Sequence, residues 1–231
     1  MTPYRRLSLI AGVLYLVTFA TSFPALALKT GFLAGGNPAL AAWGAVVEIG
    51  LAASAVGTAL ALYPITRRVS ESLALSFVVS RTVEGVMILS GVLAVMSLVT
   101  VRAAGTIAEV DQALVAWHDW TFLLGPAFMS AINALLLGTI LYRARLVPRI
   151  MPLVGLLGAP LLLASSVAVL FGAWTQTSPI GAAAAIPIAL WELSLGLWLI
   201  FRGVRVRNIE ATPTDASFTG APFTDAPVAS A

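Results

Sequence analysis

Charged residues stand inside apolar runs of this chain at positions where a charge is costly. Arg81 and Glu84 lie in SRTVEGVMIL (Ser80 to Leu89), Glu192 in IALWELSLGL, and Glu48 in AAWGAVVEIGLAA. Carboxylates and a guanidinium held out of water can pass protons, hold a cation, or tie helices together by hydrogen bonds. Positions i and i+3 are neighbours on a helix, so Arg81 and Glu84 can form an internal ion pair. The balance is uneven, because three carboxylates face one arginine. Either a glutamate is protonated at neutral pH, or a cation, a proton relay or a water-filled cavity completes the cluster.

Secondary candidates are fewer. Asn133 lies in an apolar stretch and reads as a contact between helices. The single histidine, His118, precedes Asp119 in WHDWTFLLGP. Adjacent residues on a helix point about 100° apart, which argues against a direct pair between them. Trp117 and Trp120 flank the two, as in an aromatic belt at a membrane surface, and Asp119 suits the start of a helix. No HExxH, GxSxG or GxxxxGK motif occurs, and one histidine with no cysteine leaves no usual metal or haem site. No catalytic residue, cofactor or metal is assigned. An intramembrane enzyme would need a nucleophile, and none is apparent.

The elements that must place these residues are membrane helices. Hydrophobic residues make up 59% of the 231 and charged residues only 10%, with a mean hydropathy of +0.97. Six apolar runs reach the length of about twenty residues that crosses a hydrocarbon core. They are Leu7 to Leu28, Ala42 to Tyr63, Leu73 to Val101, Trp120 to Tyr142, Ile150 to Phe171 and Ala182 to Phe201. The fold class is therefore all-α, an integral membrane bundle of six transmembrane helices. At 1.5 Å per residue Glu84 lies roughly 16 Å in from one surface and Glu192 roughly 15 Å in from the other, at one level, with Arg81 one turn away; Glu48 lies about 9 Å below a surface.

Arginines set the orientation, because cytoplasmic loops carry the excess of Lys and Arg. Arg5, Arg6, Arg67 and Arg68 fall on one side, as do Arg143, Arg145 and Arg149, and then Arg202, Arg205 and Arg207. Lys29 and Arg102 fall on loops of the other. Both termini are expected in the cytoplasm, and the pI near 9.8 reflects this asymmetry and attraction to anionic lipid, with no case for nucleic acid. The first run has the basic start of a signal peptide, yet its length is that of a span, so it is expected to remain as an anchor. In IAEVDQALVAW the apolar spacing predicts a short surface helix before the fourth span. The transmembrane domain is expected over 1–207. The stretch 208–231, rich in Pro, Thr, Ala and Asp, is expected to be a disordered cytoplasmic tail.

Several of these motifs also carry a resemblance. Glu48, ESLAL at Glu71 to Leu75, SRTVEG around Arg81 and Glu84, DWTFLLGP at Asp119 to Pro126, LVPR at Leu146 to Arg149 and IPIALWELSLGLWLIFRG ending at Gly203 occur in this order. Together they resemble the bacterial membrane-protein family of domain of unknown function 4386, over nearly all of the chain to Gly203. Asn133 and the residues beyond Arg207 lie outside the pattern. The resemblance implies a multi-pass protein of the bacterial cytoplasmic membrane and transfers no catalytic assignment.

Three functional readings follow. The first is a non-catalytic membrane component whose Arg/Glu cluster fixes helix packing. The second is a small proton- or cation-linked transporter or ligand-binding protein, and the third an intramembrane enzyme. Expected partners are the lipid bilayer, with a small cationic or amphiphilic ligand or another membrane protein.

Overall fold

A computed structural model describes residues 2–105 and 107–205. The expected tail over 208–231 lies outside the described residues. Within them the chain is helical, with no strand. Helix α1 runs over Pro3–Leu33, α2 over Pro38–Thr66 and α3 over Glu71–Ala103. A fourth span is composite: α4 (Ala108–Phe122), a wide π-type turn (Leu123–Met129) and α5 (Ser130–Arg143). Helices α6 (Ile150–Leu170) and α7 (Pro179–Phe201) complete the six helices long and apolar enough to cross a membrane.

Local chemistry starts and stops these helices. Thr2, Asn37 and Ser178 each accept a hydrogen bond from the first turn of the helix they precede, and each is followed by a proline. Proline suits that first position, where its missing N–H costs nothing. Ser70 caps α3 in the same way, by accepting from Leu73 N at 3.4 Å. Past the end of α1, Gly35 takes φ +94°, a left-handed conformation that side chains disfavour and that turns the chain out of the helix.

The spans form a closed ring. Each packs on the next in chain order, and α7 returns to α1. Their outward faces are apolar: Leu93 is 69% exposed and Leu157 74%, as expected where lipid replaces water around the bundle. The start of α1 and the end of α7 share one end of the ring with the two arginine-bearing turns. There Arg5 donates to two carbonyls at the end of α7, Leu199 O at 2.8 Å and Ile200 O. A cation at a helix C-terminus satisfies orphan carbonyls and the helix dipole together.

Two expectations about boundaries are corrected. The surface helix predicted before the fourth span is not separate. It is the start of that span, because no Pro or Gly interrupts Ala108 to Leu124. Helix α1 likewise continues past Leu28, so Lys29 is a helical residue and not part of a loop. A polar residue ends a hydropathy run without ending the backbone hydrogen bonds.

Pro126 accounts for the wide turn. It has no N–H to give to Phe122 O, the carbonyl four residues earlier, and its ring crowds that carbonyl. Gln176, in the loop between α6 and α7, supplies the missing donor: its Nε2 lies 3.2 Å from Phe122 O.

Candidate functional site

Arg81 stands at the centre of the polar interior. Its side chain is 2% exposed. From α3 its Nη1 donates to Glu84 Oε2 at 2.9 Å, and its Nη2 to Glu192 Oε1 of α7 at 2.5 Å. The same Nη2 lies 3.4 Å from the Tyr15 hydroxyl of α1. The guanidinium also sits over the Tyr15 ring at 5.4 Å and the Phe77 ring at 5.8 Å, where the ring faces attract a desolvated cation.

Glu84 receives more donors than Arg81 alone provides. Asn133 Nδ2 of α5 donates to its Oε2 at 2.7 Å, and Ser130 Oγ to its Oε1 at 3.1 Å. Three groups thus converge on one buried carboxylate, the arrangement that makes burial of a charge tolerable. Glu192 has Arg81 as its one hydrogen-bond donor among the described residues, and its side chain is 18% exposed.

Close backbone approaches set these distances. A Cβ on Gly12 would lie 2.7 Å from Gly196 O, so α1 and α7 touch backbone to backbone. Tyr15 is one turn after Gly12, and Glu192 one turn before Gly196. On the other side a Cβ on Gly125 would lie 2.7 Å from Met87 Cβ and 3.6 Å from Glu84 O. Gly155 leaves room for the indole of Trp191, the neighbour of Glu192, which a Cβ would meet at 2.6 Å. Small residues at membrane helix contacts allow this approach, and here they bring the short arms of Asn133 and Ser130 within reach of Glu84.

Glu48 does not join this cluster. It pairs instead with Lys29, whose Nζ donates to Glu48 Oε1 at 2.5 Å; the side chains are 6% and 4% exposed. The count of three carboxylates to one arginine is therefore corrected. One buried pair is balanced, and the other group has two carboxylates to one guanidinium.

His118 and Asp119 also differ from expectation. His118 Nδ1 lies 3.1 Å from Asp119 Oδ1, although adjacent positions point about 100° apart around a helix. Asp119 is well inside α4 and caps no helix; the N-cap position of α4 is Ile107, without a side-chain hydrogen bond. Trp117 remains outward, 58% exposed, and donates to Ser90 Oγ at 3.0 Å.

Three contributors to the polar interior were not expected from the sequence. Lys29 was hidden by the loop reading. Tyr15 and Ser130 carry hydroxyls in apolar runs, a signal shared with other residues that only bond their own helix, such as Thr139 to Leu135 O at 2.6 Å.

A comparison with protein families finds a match over residues 10–203 to the model described as Domain of unknown function (DUF4386). No curated protein and no solved structure matches the chain.

Proposed function

We propose, from the premise that this chain belongs to the DUF4386 family, that it is a non-catalytic component of the bacterial cytoplasmic membrane whose Arg81 cluster sets the register of its helices. One observation carries this: through Glu84, Glu192, Tyr15, Asn133 and Ser130, Arg81 links α1, α3, the fourth span and α7. Both termini and the arginine-bearing turns face the cytoplasm in this reading, where positive charge is retained.

The energetics favour specificity over strength. Hydrogen bonds between membrane helices average about 0.6 kcal/mol. Taking charges out of solvent offsets much of the attraction between them. A misaligned helix, however, would leave a charge buried without a partner, at a cost of several kcal/mol. The cluster thus penalises wrong arrangements more than it stabilises the right one.

A second reading rests on Glu192. With two carboxylates to one guanidinium, and the less contacted of them partly exposed, the cluster has an acceptor available to a proton or a small cationic ligand. Thermal unfolding of the purified protein separates the two readings. Wild type is compared with Glu84→Gln and Glu192→Gln in detergent, with a panel of inorganic cations and small amphiphilic amines. The structural reading expects lower midpoints in the variants and no ligand-dependent shift in any form. An amine or cation that raises the midpoint of wild type, and not that of a folded Glu192→Gln protein, would replace it with the binding reading, since a ligand stabilises the state it binds.

A further inference from the structure

The end of the bundle opposite the start of α1 and the end of α7 holds a second group of titratable side chains, none of which the Arg81 cluster uses. Lys29 of α1 and Glu48 of α2 form their buried pair there through Glu48 Oε1. The other carboxylate oxygen, Oε2, is buried and has no hydrogen-bond partner among the described residues. His118 comes in from α4, 5% exposed, with Asp119 on its Nδ1. Its Nε2 is likewise buried and without a partner among the described residues.

Lys29, Glu48 and His118 line one small cavity. Ile88 and Gly91 of α3 form one wall of it, and Phe122 another. The Phe122 ring stacks 6.2 Å from the imidazole and lies 5.1 Å from Lys29 Nζ. The cavity has a volume of about 10 Å³, space for roughly one water molecule.

The chemistry of the two unpartnered atoms is specific. An ionised carboxylate only accepts hydrogen bonds, so the Asp119 contact places the proton of a neutral imidazole on Nδ1. Nε2 is then a lone pair. His118 and Glu48, each with one such acceptor, therefore line a single cavity, and neither acceptor can satisfy the other. A water between them can donate to both. A proton on Nε2 would turn that atom into a donor, and the water would then carry the hydrogen bond on to Oε2.

Charge points the same way. The groups around the imidazole are Lys29 from α1, Glu48 from α2 and Asp119 from its own helix, while α3 lines the cavity with Met87, Ile88 and Gly91. With a neutral imidazole the group carries one excess negative charge, and an imidazolium cancels it. Histidine is the side chain whose ordinary titration falls between about pH 5 and 8.

We propose that this chamber is a proton-binding site, in which His118 Nε2 takes up a proton that one water molecule shares with Glu48 Oε2. In the step, a hydronium ion gives its proton to the Nε2 lone pair. One O–H bond breaks, one N–H bond forms, water is released and the charge of the site rises by one. Lys29 holds the carboxylate in place. Asp119, whose side chain is 67% exposed, orients the ring from the surface. The site shares no residue with the Arg81 cluster and stands or falls independently of the role proposed there.

The chain has a single histidine, so ring-¹⁵N-histidine NMR of the full-length protein in detergent reads this site alone. Across about pH 5 to 9, wild type is expected to pass from an Nδ1–H tautomer to the doubly protonated ring. Glu48→Gln, which replaces the accepting Oε2 by an amide, is expected to give a ring-¹⁵N titration curve different from that of wild type. A neutral ring that is protonated on Nε2, or a ring that does not change across this range, overturns the proposal from wild type alone, whatever the folding of the variant. A folded Glu48→Gln protein whose imidazole titrates as wild type does also overturns it.

Discussion

Arg81 of α3 and Glu192 of α7 meet at 2.5 Å across 111 residues of sequence, and the same guanidinium holds Glu84 one turn along its own helix. The two carboxylates are not equivalent. Glu84 has three donors and Glu192 has one among the described residues. Arg81→Met leaves both carboxylates without their cation and is expected to destabilise the fold by about 3 to 5 kcal/mol. Glu84→Gln is expected to cost about 1 to 3 kcal/mol, and Glu192→Gln less than about 1 kcal/mol. Reversible unfolding in mixed micelles gives the order; a larger loss at Glu192 than at Glu84 would contradict it.

The approach of α1 and α7 yields a second expectation. A Cβ on Gly12 would lie 2.7 Å from a backbone oxygen and 2.9 Å from the Ile200 nitrogen, where no flexible side chain can yield. Gly12→Ala is expected to push the helices apart and to cost about 1 to 3 kcal/mol. Gly50, with nothing within 4 Å of an added Cβ, is the control; Gly50→Ala is expected to be neutral or slightly stabilising in the same unfolding measurement.

Pro126 and Gln176 are coupled through one carbonyl. Gln176→Ala removes the donor to Phe122 O and is expected to cost about 1 kcal/mol. In a Pro126→Ala background the helix can supply its own donor, so the same substitution is expected to have little effect. A double-mutant cycle measures the difference directly, and additive losses would show that Gln176 acts elsewhere.

Orientation is open to a clean labelling test, because the chain contains no cysteine. Ser72→Cys, near the start of α3, and Thr177→Cys, between α6 and α7, place exposed thiols at opposite ends of the ring. In intact bacterial cells a membrane-impermeant maleimide is expected to modify Thr177→Cys and spare Ser72→Cys, consistent with arginine retained inside. Labelling of the opposite pattern would invert the topology.

Much of this architecture is legible in the amino-acid sequence itself. Six apolar runs of span length leave few alternatives, since a backbone inside lipid must satisfy its own hydrogen bonds. The i, i+3 spacing of Arg81 and Glu84, and the equal depth of Glu84 and Glu192, likewise follow from helix geometry alone. Tertiary packing decided the rest. Lys29 looked like the first residue of a loop because hydropathy falls there, yet it lies inside α1 and faces Glu48. The Tyr15 and Ser130 hydroxyls look like others in these helices until Arg81 and Glu84 meet them. Residue type and periodicity report what a helix contains and how deep each residue lies. Which face meets which neighbour depends on rotation and close approach, and here glycines such as Gly12, Gly125 and Gly196 set both.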